Sequence, residues 1–127
     1  MLADKKTRKI LCTAFDNGRK HDFRLFKESK IHLLSSTKCE ADTGYQGITK
    51  LHSNAETPKK RSKKNPLSKA DKKYNLFLSS SRVIVENIIR EVKIFKIVAQ
   101  KYRNRRKKFG LRFNLIAAIY NLNLSIK

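Results

Sequence analysis

The sequence predicts an α/β domain that ends in two helices, and three features of the chain indicate it. A short apolar run without helical period covers 8–15, as in a buried strand, and ends at turn-forming residues, and a second strand is predicted over 37–41. Apolar side chains then recur at steps of three and four residues over 78–99, which predicts a long amphipathic helix. A last segment, 113–122, is apolar on most sides and predicts a final, buried helix.

The elements of the first half follow from local signals. The strand over 8–15 leads into a turn and then into a short helix over 21–28, for which Asp22 is the expected N-cap. The strand over 37–41 delivers Asp42 at its carboxyl end, where α/β sheets hold their active sites. Residues 54–58 predict a brief edge strand that ends at proline.

Beyond that strand the composition changes. Residues 59–73 are nearly all Lys, Arg, Ser, Asn and Pro, which cannot bury enough apolar surface to fold alone. We therefore expect a mobile basic loop inside one domain that spans 1–127. The long helix is expected to begin between Ser68 and Asp71 and to run towards Val98, and the serines at 79–81 mark the point where it would break.

The charge of the chain indicates its partner. Among 127 residues there are 31 Lys and Arg against 10 Asp and Glu, a formal net charge of +21. So basic a chain is expected to bind a polyanion, with nucleic acid as the leading class. We expect no membrane partner, because the longest apolar run, 115–120, is far shorter than the roughly 20 residues that a span needs.

Two further features of the sequence indicate an intracellular protein without a cysteine zinc site. The first residues lack an apolar stretch of signal-peptide length, so we expect a cytoplasmic protein, associated with the nucleoid if it is prokaryotic. Cys12 and Cys39 lack the paired spacing of zinc sites and are expected to be buried thiols.

Two acids stand out in this basic chain, and each has an ordinary explanation. Asp42 precedes Thr43-Gly44, a sequence common in Asx turns. Glu86 lies away from the apolar stripe of the long helix, as in a surface helix with ion pairs four residues apart. The alternative explanation is that both acids bind a metal ion, while basic neighbours hold substrate phosphates.

Five stretches in collinear order carry a resemblance to a known family. They are 17–23, which contains Gly-Arg-Lys-His-Asp; 42–48, which reads Asp-Thr-Gly-Tyr-Gln-Gly-Ile; 82–87 with Lys93; 102–106; and 109–114. The most specific parts are Asp-x-Gly-Tyr and the set of Arg82, Glu86 and Lys93. Together they resemble the catalytic domain of insertion-sequence transposases of the DDE superfamily, the group related to Harbinger-type elements.

The resemblance implies a ribonuclease H-like fold. In that family two Asp and one Glu hold two divalent ions, usually Mg²⁺ with Mn²⁺ as an alternative, for cleavage and strand transfer on DNA. Asp42 matches the second catalytic Asp and Glu86 the third carboxylate, so both are expected to be catalytic residues and metal ligands. Arg82 and Lys93 match flanking residues that contact DNA phosphate or position the Glu. Asp22 matches a structural residue or a neighbour of the ligands.

Two further basic clusters are expected to contact DNA phosphate. They are Lys59, Lys60 and Arg61 in the basic loop, and Arg103, Arg105 and Arg106 in the run at 101–108.

The first catalytic Asp of the family lies upstream of the segment that matches 1–15. The resemblance therefore implies an N-terminally truncated domain, which we expect to be inactive or severely impaired alone and to work with a transposase segment encoded upstream. The sequence leaves a homo-oligomer open. The competing hypothesis, from another class, is a small basic nucleic-acid-binding protein with no catalytic activity.

Overall fold

A computed structural model of the chain describes residues 1–16, 20–99 and 108–126. Within those residues it contains four α-helices and two small two-stranded sheets, a mixture compatible with the expected α/β class. The chain forms two compact units. We call Asp16–Ser81 the central unit, and Met1–Phe15 together with Arg82–Lys127 the terminal unit.

The terminal unit begins with an antiparallel hairpin of β1 (Leu2–Ala3) and β2 (Ile10–Cys12). In the turn, the Asp4 carboxylate accepts hydrogen bonds from the Thr7 hydroxyl at 2.6 Å and the Lys6 amide at 3.0 Å. These bonds lower the pKa of Asp4, the Thr7 hydroxyl being the larger cause. Strand β2 begins later than predicted because Arg8 has a left-handed backbone, with φ of 60°, which is incompatible with a strand, and it ends at Cys12, three residues before the predicted end.

Six buried residues form the core of the terminal unit. They come from β2, from helix α2 (Lys69–Val92) and from helix α4 (Phe109–Ile126), with the short helix α3 (Lys96–Ala99) packed against them through Ile97 and Val98. The six are Ile10, Ile88, Val92, Ile116, Ala117 and Tyr120.

The side chain of Asn121 joins the hairpin to α4. Its Oδ1 accepts a hydrogen bond from the Ile10 amide at 2.8 Å, and its Nδ2 donates to the Ile10 carbonyl, also at 2.8 Å. Ile10 is 6% exposed, so both of its backbone polar groups need protein partners. One amide side chain thus serves Ile10 as a neighbouring strand would.

Helix α4 is less buried than the sequence predicts. Its inner face carries three of the core residues, but four large apolar side chains on another face are 60–75% exposed: Leu111, Leu115, Leu122 and Ile126. The expectation of the most buried helix is therefore wrong for that face. Helix α4 carries more apolar side chains than β2 and α2 cover in the terminal unit.

The central unit opens with helix α1 (Asp22–Glu28), whose N-cap differs from the prediction. His21 caps the helix, and its ring Nδ1 accepts a hydrogen bond from the Phe23 amide at 3.3 Å. Asp22 is instead the first helical residue, where a negative charge favours the helix dipole. The predicted turn before α1 lies partly outside the described residues.

Strands β3 (Cys39–Glu40) and β4 (Ala55–Glu56) pair in parallel, as the two predicted strands would in an α/β sheet. Around them a small core forms from Cys39, Ile48 and Ala55. Burial raises the pKa of the Cys39 thiol. Cys12, by contrast, is only half-buried in the terminal unit, so the expectation of two buried thiols holds for Cys39 alone.

Helix α2 begins at a reciprocal cap. The Asp71 amide donates to the Ser68 hydroxyl at 3.0 Å, and the Ser68 amide donates to the Asp71 carboxylate at 3.1 Å. The Lys59 ammonium pairs with the same carboxylate at 2.5 Å. The helix therefore begins within the predicted range, and residues 69–73 of the predicted basic loop belong to it.

The predicted break in α2 at 79–81 is absent. The Ser80 hydroxyl donates to the Phe77 carbonyl at 2.7 Å, so it is satisfied within the helix. The helix ends at Val92 and not near Val98, because the next bonds tighten to three-residue spacing, from the Ile94 amide to Glu91 and from the Phe95 amide to Val92. Within the described residues, no helix has both the length and the apolar character to cross a membrane.

Replacing Asn121 by Leu is expected to lower the free energy of unfolding by about 1–3 kcal/mol, because two backbone groups of buried Ile10 lose their partners. Urea unfolding measures the change. Asn123 on the exposed side of the same helix provides the control, and Asn123→Leu should stay within about 0.5 kcal/mol of the parent. Equal losses for the two variants would contradict the role of Asn121.

Replacing Asp71 by Asn is expected to lower the melting temperature at neutral pH. The Lys59 ammonium, and then Ser68, hold the pKa of Asp71 at about 2, below the value near 3.9 of an unfolded chain. Because the folded pKa is the lower one, the ionised carboxylate stabilises the fold above about pH 4, and this contribution disappears as the pH falls towards about 2.

Melting curves from pH 7 to pH 2 should therefore show the parent and Asp71→Asn converging at acid pH. Ser80→Ala is the control: it removes a hydroxyl that bonds only to the Phe77 carbonyl within α2, so any effect on the melting temperature should be nearly independent of pH. A constant gap for Asp71→Asn would contradict this assignment.

Candidate active site

Asp42 lies at the carboxyl end of β3, as the sequence predicts. The Ala41 amide donates to the Glu56 carbonyl at 2.9 Å, which extends the parallel pairing to the residue before the acid. Asp42 is half-buried and has an extended backbone, with φ of −75° and ψ of 166°. It is the N-cap of a short 3₁₀ helix, Thr43–Tyr45. The carboxylate is thus delivered by a strand and held at a helix start.

The Asp42 carboxylate has a fixed orientation. Its Oδ1 accepts hydrogen bonds from the Thr43 amide at 2.5 Å and from the Thr43 hydroxyl at 3.1 Å. The next turn depends on Gly47, which has φ of 90°, a left-handed conformation that favours glycine. The Gln46 side chain then donates to the Pro58 carbonyl at 3.1 Å and ties this turn to the end of β4.

Gly44 has no such backbone reason to be glycine. A methyl group placed on it would meet no atom within 4 Å. The position two residues after Asp42 therefore leaves open space.

Tyr45 gathers the neighbours of Asp42 in the central unit. Its ring contacts Phe23 and Phe26 edge to face, with ring centroids 6.2 Å apart in both pairs. Burial raises the pKa of Tyr45, and the negative charges of Asp22 and then Asp42 raise it further. The charges of Asp22 and Asp42, two of the predicted residues, therefore both act on the same phenol.

Glu86 is exposed on the part of α2 that belongs to the terminal unit. At 3.6 residues per turn its face also carries Arg82, Arg90 and Lys93, all exposed, while Ile88 and Val92 point to the core. This confirms the prediction that Glu86 stands away from the apolar stripe. Because Asp42 and Glu86 belong to different compact units, their convergence on one cleft stays a prediction.

The described residues offer carboxylate oxygens, which suit Mg²⁺ or Mn²⁺. Within 1–16, 20–99 and 108–126, no group of three His, Cys, Asp or Glu residues lies close enough to hold a metal ion. The described part of the chain therefore fits at most an incomplete ligand set.

Comparison with known proteins decides the family. Residues 1–121 match the model of the DDE superfamily endonucleases. This chain belongs to that family. It is 48% identical, over all of its 127 residues, to a protein from Microchaete diplosiphon described as "Probable transposase for insertion sequence element IS702". The chain spans 46% of the length of that relative. No solved structure matches it.

The basic loop of this DDE superfamily member is anchored at its first residue. The Lys59 amide donates to the Asn75 side chain at 2.9 Å, and that side chain donates back to the Lys59 carbonyl at 3.0 Å. The pairing with Asp71 raises the pKa of Lys59. Lys60 and Arg61 follow it and are exposed. The predicted DNA contacts Arg103, Arg105 and Arg106 lie outside the described residues.

The sequence did not predict one charged cluster beside the parallel strands. Glu56 pairs with the Lys38 ammonium at 3.0 Å, and its other oxygen, Oε2, is buried without a hydrogen-bond partner in the described structure. Burial and then the Glu56 charge raise the pKa of Tyr74. The cluster depends on the register of two-residue strands, which leaves no signal in the sequence.

Replacing either acid near Tyr45 is expected to lower the pKa of that phenol, and Asp22→Asn should lower it more than Asp42→Asn, because the charge of Asp22 is the larger of the two causes. Titration of ¹³C-labelled tyrosine by NMR measures the shift, and Tyr45→Phe assigns the signal. Asp71→Asn is the control and should leave Tyr45 unchanged. An unaffected Tyr45 in both acid variants would contradict this arrangement.

Proposed function

We propose that this chain forms part of the DNA-cleaving and strand-transfer domain of an insertion-sequence transposase. The observation that carries the proposal is the placement of Asp42. It is a half-buried carboxylate at the carboxyl end of a parallel strand, in a chain whose residues 1–121 match the DDE superfamily endonucleases. The identity to the IS702 protein supports the insertion-sequence type. The relationship to Harbinger-type elements stays a prediction.

The proposal includes a ribonuclease H-like arrangement. The order of a hairpin, α1, β3, β4 and α2 supports it, with Asp42 after β3 and Glu86 on α2. In this arrangement the two acids meet in one cleft as catalytic residues and ligands of a divalent ion, Mg²⁺ or Mn²⁺. When bound, such an ion supplies the positive charge that activates a water or 3′-hydroxyl and stabilises the leaving oxygen of a phosphodiester.

The protein's own residues prepare this site. Thr43 holds Asp42 in one orientation before DNA arrives, which reduces the ordering that binding requires. Position 44, two residues after Asp42, borders open space, and we propose that DNA occupies it. Asp22 adds negative charge near Asp42 and supports retention of a cation.

Basic side chains would hold the DNA itself. Arg82 and Lys93 share the exposed face of Glu86, so we propose that they contact the phosphates next to the cleaved bond. Lys60 and Arg61, exposed in the loop after β4 of the central unit, are further candidates for contact with DNA phosphate. Lys59 already pairs with Asp71 and so closes the loop. We propose that it also contacts phosphate when DNA binds.

Chemistry with two ions requires a third carboxylate. Asp4 does not suit that role, because both of its oxygens accept hydrogen bonds inside the hairpin turn. The chain spans 46% of the IS702 protein, so we propose that the first catalytic Asp comes from a segment outside these 127 residues. On this proposal the 127 residues alone are inactive or severely impaired.

A Mn²⁺ titration of the 127-residue chain, followed by electron paramagnetic resonance, tests whether the two acids share an ion. Asp42→Asn and Glu86→Gln should each weaken binding by roughly tenfold or more, since each removes one of two protein ligands. Glu91→Gln, an exposed acid on the same helix, is the control and should bind as the parent does. If Mn²⁺ binding is unchanged in both Asp42→Asn and Glu86→Gln, the alternative of a non-catalytic nucleic-acid-binding protein would be favoured.

Plasmid nicking with Mg²⁺ or Mn²⁺ separates the two parts of the proposal. The 127-residue chain is expected to leave supercoiled plasmid intact. If the chain nicks the plasmid robustly and Glu86→Ala abolishes the nicking, the proposal that a required carboxylate is missing would be refuted. The catalytic role of Glu86 would be supported.

A further inference from the structure

An open cavity of about 450 Å³ lies in the central unit, beside the end of α1. Phe26, Ile31, Leu33 and Leu51 form its apolar wall. Its volume falls within the range of small-molecule sites. Neither Asp42 nor Tyr45 lines it, so the cavity is distinct from the site described above.

Two lysines give the cavity a positive rim. Lys27 and Lys30 line it, and none of its described lining residues is acidic. The neighbouring acid on α1, Glu28, already pairs with Lys20 and with Arg24. The Lys27 ammonium lies 4.5 Å from the centroid of the Phe23 ring. The rim is therefore positively charged, and Lys27 is held beside a ring that does not itself line the cavity.

Lys30 occupies a position where the backbone favours glycine. It follows the C-cap of α1 and has φ of 50°, a left-handed conformation. Lysine is disfavoured there, and the helix end alone would be served better by glycine or asparagine. The lysine places a cation at the mouth of the cavity, which gives a reason for its presence.

The part of the lining formed by Leu51 and His52 is held in place by the His52 side chain. This buried ring has its Nε2 2.6 Å from the Thr37 carbonyl. Because a carbonyl only accepts, Nε2 carries the proton and donates. The bond fixes Leu51 and His52 against the segment before β3, so the cavity is formed before a ligand arrives.

We propose that this cavity binds one unstacked nucleotide of DNA, with the base against the apolar wall and the phosphate on Lys27 and Lys30. A nucleotide carries a flat aromatic base, whose faces can stack on apolar side chains, next to an anionic phosphate, and these two parts match the apolar lining and the lysines of the cavity. The inference rests on the proposed function only in taking DNA as the partner. It uses no metal ion and neither catalytic acid.

Calorimetry of the 127-residue chain in EDTA tests this, with dAMP and inorganic phosphate as the two probes. The parent should bind dAMP more tightly than phosphate, because the base adds apolar contact. Lys30→Asn keeps the left-handed backbone and should weaken dAMP binding roughly three- to tenfold by removing one charged contact. Its melting temperature should equal or exceed that of the parent.

Leu51→Asp adds a negative charge at an exposed wall position and should weaken dAMP binding at least as much. Lys72→Gln, an exposed lysine on α2 that does not line the cavity, is the control and should bind as the parent does. Equal affinities for dAMP and phosphate, or a Lys30→Asn variant that binds like Lys72→Gln, would overturn the proposal.

The outcome is separable from that of the metal titration. Asp42→Asn and Glu86→Gln should leave dAMP binding unchanged, and Lys30→Asn should leave Mn²⁺ binding unchanged. A chain that binds dAMP but shows no acid-dependent Mn²⁺ binding would keep the nucleotide site and lose the proposed catalytic role.

Discussion

The parallel pairing of β3 with β4 is the constraint on which the central unit depends. It is only two residues long, yet the Ala41 amide continues it to the Glu56 carbonyl. That bond fixes the direction in which the chain leaves β3 and therefore where Asp42 lies. On the β4 side, the Pro58 carbonyl receives Gln46, and Lys59 is clamped by Asn75 and Asp71. The end of each strand is thus tied to a following segment.

Several of the few acids of this chain have defined hydrogen-bond or ion-pair partners. Asp71 caps a helix, Asp4 closes a hairpin and Glu28 pairs with two cations. Asp42 differs because its bonds to Thr43 orient it at the carboxyl end of a parallel strand. In a chain with a net charge of +21, exposed lysines are common, whereas an acid held in one orientation is rare.

The sequence predicted the elements better than their limits. Asp42 at a strand end, the strand before Pro58 and the helix start at Ser68 followed from local chemistry that short segments carry by themselves. The N-cap at His21, the continuous helix through Ser80 and the exposed face of α4 did not, because each depends on hydrogen bonds or neighbours that residue types alone do not specify. For the candidate site, the motif identified the residues, but the effect of the Asp22 and Asp42 charges on Tyr45 could be found only from the three-dimensional structure.

The unequal burial of the two cysteines has a practical consequence. A thiol reacts with alkylating reagents as its thiolate, and burial keeps Cys39 both shielded and protonated near neutral pH. Its alkylation must therefore wait for the central unit to open, whereas Cys12 is already partly accessible. The rate at which the Cys39 thiol is alkylated would therefore report local opening of the central unit around Asp42, without the need to introduce a probe.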